Sequence, residues 1–114
     1  MNPLERRLVW LGYEEFTPLP QFAIEVAGEP GDDPANGPLA FARRILGELL
    51  ERGWVELYRS DPWLDGPVTL IPVEDRQRYL GDDSCWHWRE DDEEDLSMVW
   101  YGTTDEGYDA YTAG

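Results

Sequence analysis

The segment that most constrains this chain is "PLAFARRILGELLERGWVELY", residues 38–58. Leu39, Ala42, Leu46, Leu49 and Leu50 recur at helical spacing and make one apolar face, and Gly53 supplies the stop. Gly47 weakens such a helix by about 1 kcal/mol relative to Ala, so packing has to hold it. Directly after the stop, Trp54 to Tyr58 alternates as a half-buried strand. A helix running straight into a strand sets an α+β reading for the chain.

The remaining elements follow from the same rules. Pro3 in a first turn, with Leu4, Leu8 and Leu11 behind it, predicts a helix over residues 3–15. Thr17 before Pro18 reads as a cap for a second short helix carrying Leu19, Phe22, Ala23 and Val26 and ending at Gly28. "GEPGDDPANGP" is loop by composition. Beyond the first strand, "VTLIP" predicts a second one and residues 73–80 a small helix. "CWHW" and "SMVWY" predict a hairpin whose connection is the acidic run Glu90 to Asp95, and a closing helix starts at Thr103 or Thr104. In that hairpin Cys85 and His87 share one face, and Trp86 and Trp88 share the other, toward the core.

With 114 residues, 41% of them hydrophobic, the chain is expected to form a single domain spanning 1–114 with a real core. Trp10, Trp54, Trp86 and Trp100 are assigned to that core. One cysteine excludes an internal disulfide framework, and no apolar run approaches the ~20 residues that cross a bilayer. The N-terminal segment mixes acids into its apolar positions, unlike a signal peptide, so a cytoplasmic protein is expected.

Charge restricts function further. The net charge is −16, and it is uneven: residues 1–59 carry six Arg against ten acids, residues 60–114 three Arg against fifteen. Such a field repels phosphate backbones and anionic membranes and speeds encounters with basic surfaces.

The run "LLERGWVELY" and the run "WYGTTDEGYDAY" together resemble the winged helix-turn-helix superfamily. In many of its members a helix of this type enters the sheet, and the last strand of the wing runs into a helix start. Leu49, Leu50, Glu51, Gly53 and Val55 carry the first half of the resemblance, and Thr104, Gly107 and Tyr111 the second. The resemblance implies a winged-helix-like fold, three N-terminal helices followed by a small antiparallel sheet with a hairpin wing. The helix at 73–80 is an insertion relative to a minimal winged domain. The resemblance also implies a DNA reader whose third helix enters the major groove.

The residues supply different chemistry. The outward positions of the third helix are Ala40, Arg43, Arg44, Gly47, Glu48 and Glu51. Arg43 and Arg44 are the candidates for DNA contact, yet Glu48 stands at i, i+4 spacing from Arg44 and Arg52, as on an ordinary solvated helix. Where a wing would approach phosphates, this chain has Glu90, Asp91, Asp92, Glu93, Glu94 and Asp95, with Arg89 alone in opposition. A tip of that charge cannot neutralise phosphates.

Catalytic and metal readings fare no better. Cys85 and His87 are the only residues of their kinds. On a strand their spacing is too long for a thiol-imidazole hydrogen bond, and two ligands are too few for zinc. The acidic run lacks the spaced oxygens of a calcium loop. No catalytic residue, metal or cofactor is expected, and the chain is not read as an enzyme.

The function expected from sequence is therefore a small acidic protein-binding protein, an inhibitor of immunity-protein or antitoxin type acting on a basic partner. Its contact residues are Glu90 to Asp95, with Asp82, Asp83 and Trp63 in support, because a Trp anchor with a charged rim is a common hot spot. The alternative is a winged-helix DNA-binding regulator using Arg43 and Arg44.

Overall fold

The computed structural model describes residues 1–29, 37, 39–60, 68–87 and 98–113. The chain is an α+β structure in which helices cover an antiparallel sheet of four strands. Helix α1 (Pro3–Glu14) begins with a reciprocal cap. The Glu5 amide donates to the Asn2 side chain at 2.8 Å, and the Asn2 amide donates to the Glu5 carboxylate at 2.9 Å. Glu5, Leu8, Val9 and Gly12 form its buried side. The other carboxylate oxygen of Glu5 pairs with Arg52, so this nearly buried acid holds a cap and an ion pair at once.

Thr17 does not cap the second helix. It belongs to a short strand, β1 (Thr17–Pro18), and helix α2 (Leu19–Val26) starts after Pro18 with no side-chain cap. The competing interaction is the ladder that pairs Thr17 with Tyr101 and Pro18 with Trp100.

Helix α3 (Ala40–Glu51) buries Phe41, Ala42, Leu46, Leu49 and Leu50. Gly53 sits at φ +75°, and the amides of Gly53 and Trp54 bond back to the carbonyls of Leu50 and Leu49 at 3.0 and 3.1 Å. The left-handed residue satisfies the helix end and turns the chain directly into strand β2 (Val55–Ser60).

Strand β4 (Met98–Thr103) lies at the centre of the sheet, between β1 and β2, and β3 (Thr69–Leu70) forms the far edge beside β2. The β2–β4 pairing runs the full length of both strands, from Val55 opposite Thr103 to Ser60 opposite Met98. Between β2 and β4 come β3, a single 3-10 turn at Val73–Asp75, helix α4 (Arg76–Leu80) and a second 3-10 turn at Asp83–Trp86.

That second turn corrects the expected hairpin. Residues 85–87 are not a strand, and β4 takes its partners from β1 and β2 instead. The local cause is Asp82, whose carboxylate accepts from the amide and hydroxyl of Ser84 at 3.0 and 2.7 Å and starts a tight turn. Trp86 then folds back, its indole N–H donating to the Leu80 carbonyl at 3.0 Å. The shared strand face expected for Cys85 and His87 does not exist.

The buried side chains form one cluster, built from α1, α2, α3, both long strands, Ile71, Leu80 and Trp86. Tyr101 is fully buried at its middle, edge-on to Phe22 at 5.2 Å, and its hydroxyl donates to the Leu8 carbonyl at 2.8 Å. Trp86 and Trp100 are buried as expected and Trp54 is half-buried. Trp10 is not a core residue: it is 41% exposed, because Leu8, Val9 and Gly12 already set the inward side of α1. The closing helix α5 (Asp105–Ala113) is capped by Thr104, whose hydroxyl accepts from the Gly107 amide at 3.0 Å.

Candidate functional site

Two surfaces of the described residues carry side chains with chemistry to offer. The first is the outward side of α3. Arg44, Glu48 and Glu51 are exposed there, and Arg43 is half-buried against the end of α4. The Arg43 guanidinium donates to the Leu80 carbonyl at 2.8 Å and pairs with Asp83. Helix α4 thereby lies beside α3, with a shallow groove between them lined by Arg44, Gly47, Glu48, Glu51 and Gln77. Arg44 lies over the Phe41 ring at 5.1 Å. The structure thus brings together residues that sequence assigned to opposite roles: Arg43, a candidate for DNA, and Asp83, a candidate for a basic partner, neutralise each other.

Other arginines are also engaged within the chain. Arg52 pairs with Glu5 rather than with Glu48 and lies over Trp54 at 4.9 Å. Arg7 ties α1 to α2, meeting Glu29 at 2.8 Å and the Glu25 carbonyl at 2.7 Å. Arg6 donates to the Tyr111 carbonyl at 3.0 Å, which docks α1 against the end of α5. Carboxylates remain on the outside: Glu14, Glu15, Glu48, Glu51, Glu74, Asp105, Glu106 and Asp109 are all exposed. Among the described residues the free surface charge is therefore mostly negative.

The second surface was missed by the sequence reading. Trp10 and Tyr13 of α1 meet Tyr108 and Tyr111 of α5 in a continuous aromatic strip. Tyr13 stacks on Tyr108 with centroids 4.4 Å apart, and Trp10 stacks on Tyr111 at 5.6 Å. The legible signal was the repeat of three in both helices, Trp10 with Tyr13 and Tyr108 with Tyr111, which sets each pair on one helical side. Tyr101, at the end of the predicted strand "SMVWY", is core and has no part in this strip.

Of the expected contact residues, Asp82 and Asp83 are placed, on the turn just described. Glu90 to Asp95 and Trp63 lie outside the described residues, as do Trp88 and Arg89. Cys85 is half-buried and His87 exposed. Among the described residues no group of three or more His, Cys, Asp and Glu side chains could hold a metal ion, and no helix is long and apolar enough to cross a membrane. No protein-family model, curated protein or solved structure matches the chain.

Proposed function

We propose that this chain is a small acidic protein-binding protein on a winged-helix-like scaffold, an inhibitor of immunity-protein or antitoxin type that acts on a basic partner surface. The scaffold reading is supported by three helices in the N-terminal half, with the short β1 between the first two, and by α3 passing through Gly53 into β2 and β4 passing through Thr104 into α5. The helix that a DNA-reading member would place in the groove has its Arg43 bound to Leu80 and Asp83, and exposes Glu48 and Glu51 beside Arg44. That observation carries the functional reading. Among the described residues this helix face exposes Arg44 against Glu48 and Glu51, which gives no net phosphate neutralisation, whereas a chain of net charge −16 is steered toward basic surfaces.

The test pairs two assays. At about 100 mM salt, random or enriched duplex DNA is not retarded at micromolar protein, because the protein displaces too few counterions. Affinity capture from the native organism's lysate, read by mass spectrometry, retains a basic protein at stoichiometric level and releases it as salt is raised. Sub-micromolar DNA binding that falls steeply with salt overturns the reading in favour of a DNA-binding regulator that uses Arg43 and Arg44.

A further inference from the structure

Large aromatic side chains on a helix normally go inward, and in α1 the inward positions are already taken by Leu8, Val9 and Gly12. Trp10 and Tyr13 are left 41% and 48% exposed, and Tyr108 of α5 is 37% exposed. The rings are not scattered. The Tyr13 and Tyr108 rings are stacked nearly parallel, 16° apart, and those of Trp10 and Tyr111 are within 22°. The two helices run antiparallel along this seam, since Trp10 meets Tyr111 while Tyr13 meets Tyr108.

The strip is electrically graded. At its Trp10–Tyr111 end, the chain's own Arg6 guanidinium lies 4.3 Å from the Tyr111 ring centre. At the other end, Glu14 follows Tyr13 and Asp105 stands one turn before Tyr108. Both carboxylates are exposed, and neither takes part in an ion pair among the described residues.

We infer that this strip is the docking surface for an arginine-bearing segment of a basic protein partner, with the partner's guanidinium seated against Tyr13 and Tyr108 and met by Glu14 and Asp105. The inference rests on the protein-binding reading above and names its contact surface. Arg6 on Tyr111 already shows this seam accepting a guanidinium over a ring. Arginine suits the site better than lysine because its planar group stacks on an aromatic face and still presents donors to carboxylates. Rigid Trp and Tyr side chains with a charged rim have the composition of a binding hot spot. A second copy of the chain is disfavoured as occupant, since it brings its own charge of −16 against the same acidic rim.

The probe is hexa-arginine, titrated into the full chain at about 150 mM salt, where long-range steering is largely screened. Amide and indole correlation spectra are the readout. The expected result is saturable movement of the Trp10 indole N–H and of the Tyr13 and Tyr108 amides, with hexa-lysine binding several-fold more weakly. The double variant Trp10→Gln, Tyr108→Ser weakens hexa-arginine binding about tenfold. Tyr13→Ser, a single exposed substitution, weakens it in the same direction if the double variant loses its fold. Movement confined to residues 82–95, or equal affinity for the two peptides and the variants, overturns the inference while leaving the protein-binding reading standing. So does sedimentation as a dimer that the strip variants abolish, which assigns the surface to a second copy. Absence of any hexa-arginine binding also overturns it, and lysate capture then judges the broader reading independently.

Discussion

Gly107 shows how tightly single positions set this fold. A Cβ built there comes within 2.1 Å of the Trp54 carbonyl oxygen, which is backbone and cannot turn aside. The first turn of α5 therefore sits directly against the start of β2, where the Thr104 amide donates to the same carbonyl at 3.0 Å. Gly107→Ala is expected to lower stability by about 3 kcal/mol, the upper end of overpacking costs, because α5 has to move. Gly47 is the control: among the described residues, no atom beyond its chain neighbours and the helix's own backbone lies within 4 Å of a Cβ there, so Gly47→Ala is expected to raise stability by about 0.5–1 kcal/mol in the same denaturant titration. Tyr101 adds a dependence on pH. Burial raises its phenol pKa above the ordinary 10.0. Above about pH 10 the unfolded chain gives up this proton while the folded one keeps it, so stability falls as pH rises, and Tyr101→Phe flattens that fall. Tyr101→Phe also costs about 1 kcal/mol near neutrality through the lost bond to Leu8. An unchanged alkaline slope in the variant assigns the loss to other groups. At this scale sequence was least informative about Trp10: an aromatic residue in a helix carries no label for inside or outside, and only the competing choice of Leu8, Val9 and Gly12 as the inward side decides it.

At the scale of elements, helices were legible and strand partners were not. Apolar spacing and the Gly53 stop are local signals, so α1, α2, α3 and α5 fall close to where sequence places them. The small helix at 73–80 resolves into a 3-10 turn and α4 in the same place. Pairing is a non-local choice. "CWHW" has the alternation of a strand, but Asp82 bonding to Ser84 and Trp86 bonding to Leu80 close a turn there, and β4 pairs with β2 and β1 across long stretches of chain. Helix α4 and the 3-10 turn after it are held to α3 through Arg43, which makes two unequal contacts. Its bond to the Leu80 carbonyl is partly buried, whereas its partner Asp83 has a side chain 74% exposed. Arg43→Ala is therefore expected to cost about 1–2 kcal/mol and to speed amide exchange in α4, since the Leu80 carbonyl loses its charged donor and keeps the Trp86 indole. Asp83→Asn is expected to cost less than about 1 kcal/mol, as exposed ion pairs do. If the two substitutions cost the same, α4 is fastened by charge and the assignment to the Leu80 bond is wrong.

For the whole molecule, charge and aromatic placement bear on the same question. Among the described residues, folding spends Arg6, Arg7, Arg43 and Arg52 on internal contacts and leaves exposed carboxylates on both helices of the aromatic strip. The sign of the field was readable from composition, but the strip was not, because it exists only where α1 and α5 meet. Glu90 to Asp95 concentrate six of the acids in one run, and they enter the account through charge alone. Long-range charge governs how fast partners meet, and short-range contacts, here those proposed for Trp10 and Tyr108, govern how slowly they part. The most direct test is the association rate of the captured basic partner, followed by stopped flow across a salt series, for the natural chain and for a chain with Glu90 to Asp95 changed to Ser or Asn. The account predicts association about tenfold or more slower at low salt for the changed chain, a difference that closes as salt rises, and little change in dissociation. Equal association rates at low salt contradict it and reduce the acidic run to a contribution to solubility.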